Sequence, residues 1–74
     1  MALMEIIVYG AGHCNPCRRT KAHLDSKGKK YTYKDITEEQ NAEELKAMGF
    51  NSIPLVVCGD VKISGFNPEA LDKL

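Results

Sequence analysis

Two cysteines three positions apart, in Cys14-Asn15-Pro16-Cys17, follow a β-rich apolar run, Ile6-Ile7-Val8-Tyr9, and open a stretch that reads as a helix. In the first turn of a helix, residues i and i+3 lie on one side, so the two sulfurs can meet in a reversible disulfide. The helix start also presents unpaired backbone N–H groups, which favour a thiolate on the first cysteine. The chain must therefore bring a strand end, a turn and a helix start to one point.

With 74 residues the chain has room for one domain, 1–74, around a small core. Apolar content of 43% and charged content of 27% are ordinary for a soluble globular protein. The longest apolar stretches, Ile6–Tyr9 and Ile53–Cys58, are too short to span a bilayer, and no secretory leader is read at the start. Three cysteines are an odd number, which argues against a secreted disulfide scaffold and for a reducing compartment, the cytoplasm. A net charge of zero gives no general attraction to nucleic acid or membrane, and a monomer is expected. Charge is nonetheless uneven. Arg18, Arg19, Lys21, Lys27, Lys29, Lys30 and Lys34 crowd the first helix and the strand after it, whereas Asp35, Glu38, Glu39, Glu43 and Glu44 crowd the next element. Such runs read as solvated helix faces, or as a basic rim that docks acidic partners beside the thiols.

Leu3–Tyr9 reads as a buried strand, and Gly10-Ala11-Gly12-His13 as a flexible turn. The first helix is predicted from Cys14 to Lys27, stopped by Gly28, with Cys17, Thr20 or Lys21, and Leu24 facing inward. Tyr31–Ile36 reads as a second strand. Thr37 is predicted to open a capping box with Gln40, and Gly49 to close that helix, with Leu45 and Met48 inward. Ile53–Cys58 and Val61–Ser64 flank Gly59-Asp60, a two-residue hairpin signal. Asn67-Pro68-Glu69 combines a cap, a first-turn proline and an early acid, and Leu71 and Leu74 can anchor the helix that follows. The order is β-α-β-α-β-β-α, an α/β arrangement with a parallel, right-handed first β-α-β and an antiparallel final hairpin.

Four separated signals resemble one family. Cys14-Asn15-Pro16-Cys17 followed by Arg18-Arg19-Thr20-Lys21 resembles the C-x-x-C-x-x-T-K start of glutaredoxin-like proteins. Ile53-Pro54-Leu55-Val56-Val57 is similar to the strand that carries the family's cis-proline, and Gly59-Asp60 to its turn. Ser64-Gly65-Phe66-Asn67-Pro68-Glu69 resembles the S-G-F-R-P-D/E segment of NrdH-type redoxins, small glutaredoxin-like proteins that behave as thioredoxins. The resemblance runs from about Leu3 to Leu74. It implies a minimal thioredoxin, glutaredoxin-like fold with a four-stranded mixed sheet, and a cis bond between Ile53 and Pro54. There are departures from the NrdH pattern: C-N-P-C stands in place of C-V-Q-C, Ile63 in place of Trp, and Asn67 in place of Arg. Thioredoxins keep a buried acid six residues before the nucleophile, where this chain has Val8.

The chemistry expected of the pair is dithiol–disulfide exchange. Cys14, exposed and helped by the helix dipole, Arg18 and His13, would attack a substrate disulfide, and the shielded Cys17 would then attack Cys14 to release reduced product. Cys14 and Cys17 are the candidate catalytic pair. His13, Arg18, Ile53, Pro54, Gly65 and Phe66 are the candidate partner-binding residues, with the Ile53 backbone pairing extended substrate as an added strand. Family potentials span roughly −270 to −200 mV, and Pro16 points to the lower half. The resemblance implies reduction by thioredoxin reductase and electron delivery to ribonucleotide reductase or another disulfide-bearing protein. Glutathione is disfavoured, because a single Gly65 followed by Phe66 lacks the paired glycines and acid of glutathione users. A glutathione-dependent dithiol glutaredoxin is the nearest rival, and a metal or iron–sulfur carrier the rival of another class. No tightly bound cofactor or metal is expected, since Cys58, His13 and His23 offer no second close pair to complete four ligands. Cys58 itself reads as a buried small hydrophobe, and His23 as solvated.

Overall fold

Alternation sets the two sides of the sheet. The structure, a computed structural model, describes residues 5–74, so Leu3 and Met4 of the expected first strand lie outside the described residues. The elements follow as β1 (Ile6–Gly10), α1 (Asn15–Ser26), β2 (Tyr31–Asp35), α2 (Glu39–Ala47), β3 (Leu55–Cys58), β4 (Val61–Ser64) and α3 (Pro68–Asp72). Strand order is β2-β1-β3-β4. β1 runs parallel to β2, and β3 is antiparallel to both β1 and β4. This is the expected β-α-β-α-β-β-α fold with a four-stranded mixed sheet.

Period-two geometry sends successive side chains to opposite faces. Ile6 and Val8 of β1, Val56 and Cys58 of β3, and Ile63 of β4 share one face, where Leu24 of α1 and Leu71 of α3 join the same core. Tyr31 and Tyr33 pack against it. Tyr9 and Leu55 turn the other way and meet Leu45 of α2, with Ile7, Ile36, Met48 and Phe50 around them. A leucine buried as fully as Leu24 contributes roughly 1.5–3 kcal/mol through removal from water.

Element ends show where local signals held. Gly28, at φ 68°, takes the left-handed conformation that ends α1. Asn67 caps α3 by accepting from the Ala70 amide at 3.2 Å, ahead of Pro68 in the first turn. Gly59 has φ 60°, and no described non-glycine residue has positive φ, so the β3–β4 turn has the signs of type II′.

Other ends differ from expectation. Thr37 does not cap α2. Its amide and hydroxyl both donate to Asp35 Oδ1, at 2.9 and 2.8 Å, and the helix starts after Glu38, which makes no side-chain cap bond. A charged acceptor two residues back takes the amide that the capping box would give to Gln40, and turns the hydroxyl, an acceptor in that box, into a donor. Strand β3 begins at Leu55 rather than Ile53, because Pro54 has no N–H to donate to the ladder; the Ile53–Pro54 bond is cis, as expected. β2 ends at Asp35 rather than Ile36, although the Ile36 amide still donates to Gly10 O at 2.9 Å.

Candidate active site

Cys14 is the N-cap of α1, in extended backbone conformation, and its sulfur accepts the Cys17 amide at 3.3 Å. That bond satisfies one unpaired donor of the first turn. Pro16 lies in the same turn, where a missing N–H costs no helix bond. Both cysteines are free thiols, Cys14 half-buried and Cys17 fully buried. Burial, then the hydrogen bond with Cys14, pushes the Cys17 thiol up to about 11, against the pull of a backbone bond from Ala11 and the Lys21 charge.

The inward side of α1 is Cys17, Thr20 and Leu24, which selects Thr20 over Lys21. The Thr20 hydroxyl donates to Pro16 O at 2.9 Å, so this buried polar group is satisfied within the helix. Lys21 reaches sideways, with Nζ 4.1 Å from the centre of the Tyr33 ring.

Gly10 makes the arrangement possible. A Cβ there would lie 2.9 Å from Cys17 Sγ, 3.1 Å from Cys17 Cβ and 3.2 Å from Tyr33 Cε1. The end of β1 therefore lets the helix seat the second sulfur directly against its backbone. In the sequence Gly10 reads as part of a flexible turn, whereas the structure makes it the last residue of β1. The available signal was a glycine closing a strand, which marks close approach of another group.

Pro54, which is fully buried, directly precedes Leu55, the register partner of Tyr9. The Gly65 amide donates to Pro54 O at 2.9 Å. Pro54 and Gly65 are thus joined just before β3 and just after β4, and Gly10 closes the neighbouring β1. Phe66, 37% exposed, follows Gly65. Its ring centre lies 6.1 Å from that of His23 in an edge arrangement. His23 is therefore engaged, not simply solvated: its Nε2 is also 2.8 Å from Asp72 Oδ1, which ties α1 to α3.

His13 is exposed in the turn before Cys14. The Arg18 Nε donates to Gly12 O at 3.1 Å, so this side chain braces the turn that delivers Cys14. Ile53 is half-buried and packs on the α2 side of the sheet. Cys58 is buried at the opposite end of β3, as expected. A shallow, open depression of about 140 Å³ formed by Glu5, Ile6, Lys30, Tyr31 and Thr32 lies at the start of β1, away from the cysteines. Among the described residues, no group of three or more His, Cys, Asp and Glu side chains is placed to hold a metal, and no helix is long and apolar enough to cross a membrane.

Residues 6–63 match the family model for glutaredoxin. The chain belongs to the glutaredoxin family. It is 32% identical over 72 residues to the glutaredoxin-like protein NrdH of Escherichia coli, covering 96% of this chain and 89% of that one. Its fold superposes on the structure of E. coli NrdH-redoxin with a TM-score of 0.88, covering 96% and 95% of the two chains at 32% identity. The glutaredoxin of Archaeoglobus fulgidus follows with a TM-score of 0.83, at 29% identity over 96% of this chain and 85% of the other. This glutaredoxin is a thiol–disulfide oxidoreductase of NrdH-like type. Proteins of the family generally hold no tightly bound cofactor.

Proposed function

We propose that this glutaredoxin is a dithiol electron carrier in which Cys14 is the nucleophile and Cys17 the resolving thiol. The observation that carries the reading is the unequal burial of the two sulfurs: Cys14 is half-exposed at the helix start, whereas Cys17 is fully buried. Cys14 as thiolate attacks one sulfur of a substrate disulfide and expels the other. The Cys17 sulfur then attacks Cys14 Sγ, forming the Cys14–Cys17 disulfide and releasing the substrate with two more electrons. A reductase returns two electrons and the protons come from solvent.

The partner-binding wall is Ile53, Pro54, Gly65 and Phe66, with His13 and Arg18 on the near rim. An extended substrate segment would lie along the backbone before Pro54 as an added strand, with the partly exposed Phe66 ring giving it an apolar seat. The basic groups of α1, Arg18 and Arg19 among them, would favour acidic partners.

The electron source we propose is thioredoxin reductase and the recipient ribonucleotide reductase or another disulfide-bearing protein, in the cytoplasm. Support comes from the NrdH relatives, one of which is described as having a thioredoxin-like activity profile. Gly65-Phe66-Asn67 adds to it, because the glycine is single, Phe66 and not an acid comes next, and Asn67 is committed to capping α3. Coupled NADPH consumption with a model disulfide tests the assignment, comparing thioredoxin reductase with glutathione plus glutathione reductase. Faster turnover with thioredoxin reductase is expected. Faster turnover with glutathione would instead make the protein a glutathione-dependent dithiol glutaredoxin.

A further inference from the structure

The Tyr33 hydroxyl is shielded from solvent and has no hydrogen-bond partner among the described residues. A buried donor without an acceptor is costly, so such a group calls for a purpose. Its ring edge and Cys17 Sγ share the space that Gly10 leaves open, at 3.2 and 2.9 Å from the position a Cβ would take there. Lys21, one turn after Cys17, stands over the same ring. Val8, on β1 beneath this corner, is fully buried and can neither take nor give a proton.

We propose that Tyr33, with Lys21 over its ring, stabilises the Cys17 thiolate while the mixed disulfide is resolved. The inference rests on the dithiol reading above. The Cys17 proton leaves to solvent, and the Tyr33 hydroxyl, unpartnered while Cys17 is a thiol, shifts to donate a hydrogen bond to the resulting anion beside the Lys21 ammonium. The sulfur's electron pair then forms the bond to Cys14 Sγ. The bond from Cys14 to the substrate sulfur breaks, and the departing thiolate takes a proton from solvent. Tyr33 remains protonated throughout and consumes nothing.

The charged surroundings fit a donor and not a base. Burial, and then the Asp35 carboxylate, hold the Tyr33 phenol above its ordinary range, so it keeps its proton through neutral pH. From β2 the facing groups are Asp35 and Tyr31, and from α1 they are Cys14, Cys17 and Lys21. His13 and Lys21 act on Asp35, whose own oxygen is occupied by Thr37. The adjoining end of β1, Gly10, brings no charge.

Stopped-flow reaction of the reduced protein with dithiobis-nitrobenzoate reads both steps by the coloured thiolate released. Cys14 gives the first phase and resolution by Cys17 the second, and Cys17→Ser should leave the first alone. In Tyr33→Phe the second phase should slow roughly tenfold at neutral pH, the size of one hydrogen bond to an anion, and its pH midpoint should rise. Lys21→Met should shift the midpoint the same way, and Lys21→Arg should restore it. An unchanged second phase and midpoint in Tyr33→Phe would overturn the proposal, as would equal slowing of both phases with no pH shift. If the unsubstituted protein lacks a second phase, the dithiol reading itself fails, an outcome distinct from either.

Discussion

The two faces of the sheet are built to different standards. On the side of α1 and α3, seven residues form a buried cluster that runs from Ile6 to Leu71 and includes Cys58. On the side of α2 the buried apolar cluster is Tyr9, Leu45 and Leu55, and the apolar residues packed around it are partly exposed. The α2 face is held partly by polar bonds: Tyr9 Oη donates to Glu44 Oε1 at 2.8 Å, and Lys34 Nζ reaches the same oxygen at 2.7 Å. The cysteine pair is rooted in the dry face. A second thiol that must stay shielded until needed belongs where packing is closest, and a polar face would expose it.

The largest expected break concerns the sulfurs themselves. Cys14→Ser should reduce turnover to background, whereas Cys17→Ser should accumulate a stable mixed disulfide, both visible by mass spectrometry after reaction with substrate. In the reduced protein alkylation should fall on Cys14 first. Preferential labelling of Cys17 would reverse the roles.

Next comes the contrast of faces. Leu24→Ala should cost toward the upper end of about 2–5 kcal/mol, since the cavity sits in a fully buried cluster. Leu45→Ala should sit near the lower end, because its partly exposed neighbours can close over the gap. Urea midpoints with unchanged slopes would measure both, and equal losses would erase the distinction.

Gly10→Ala probes the junction of sheet and helix. The added methyl meets Cys17 Sγ at 2.9 Å, so overpacking should cost about 1–3 kcal/mol and raise the alkylation rate of Cys17 as α1 is pushed outward. A stable variant with unchanged Cys17 reactivity would show that the corner can give way at no expense.

A smaller effect follows from pH. Burial pushes the native Cys17 thiol from an ordinary 9.0 up to about 11, so between these values the native state holds a proton that the unfolded chain has lost. Stability from this group is full below 9 and declines as pH rises toward 11. Cys17→Ala should flatten that decline in thermal scans.

The smallest effect belongs to the polar face. The Lys34 ammonium, then the Tyr9 hydroxyl, hold the Glu44 carboxyl below its usual range. Its stabilisation is present above the ordinary carboxylate value and is lost as pH falls through the lowered native one. Glu44→Gln should lower the melting temperature slightly at neutral pH and not at all in strong acid. An effect independent of pH would point to shape and not charge.

What the sequence alone determined is whatever depends on neighbours along the chain. The i, i+3 spacing of Cys14 and Cys17, the left-handed glycine after α1, the Asn67 cap before Pro68 and the Gly59 hairpin are local geometry, and each was legible residue by residue. The cis bond before Pro54 was legible only through the resemblance. Thr37 was misread because its competing acceptor, Asp35, lies upstream of the capping pattern. Tertiary structure decided the rest. The close seat of Cys17 on Gly10, the unpartnered Tyr33 hydroxyl beside it, the Lys21 ammonium over its ring and the His23 link to Asp72 join segments distant in sequence. No local propensity encodes these contacts: the first three depend on the register of β1 with β2 and the packing of α1 across them, and the last on the placing of α3 beside α1.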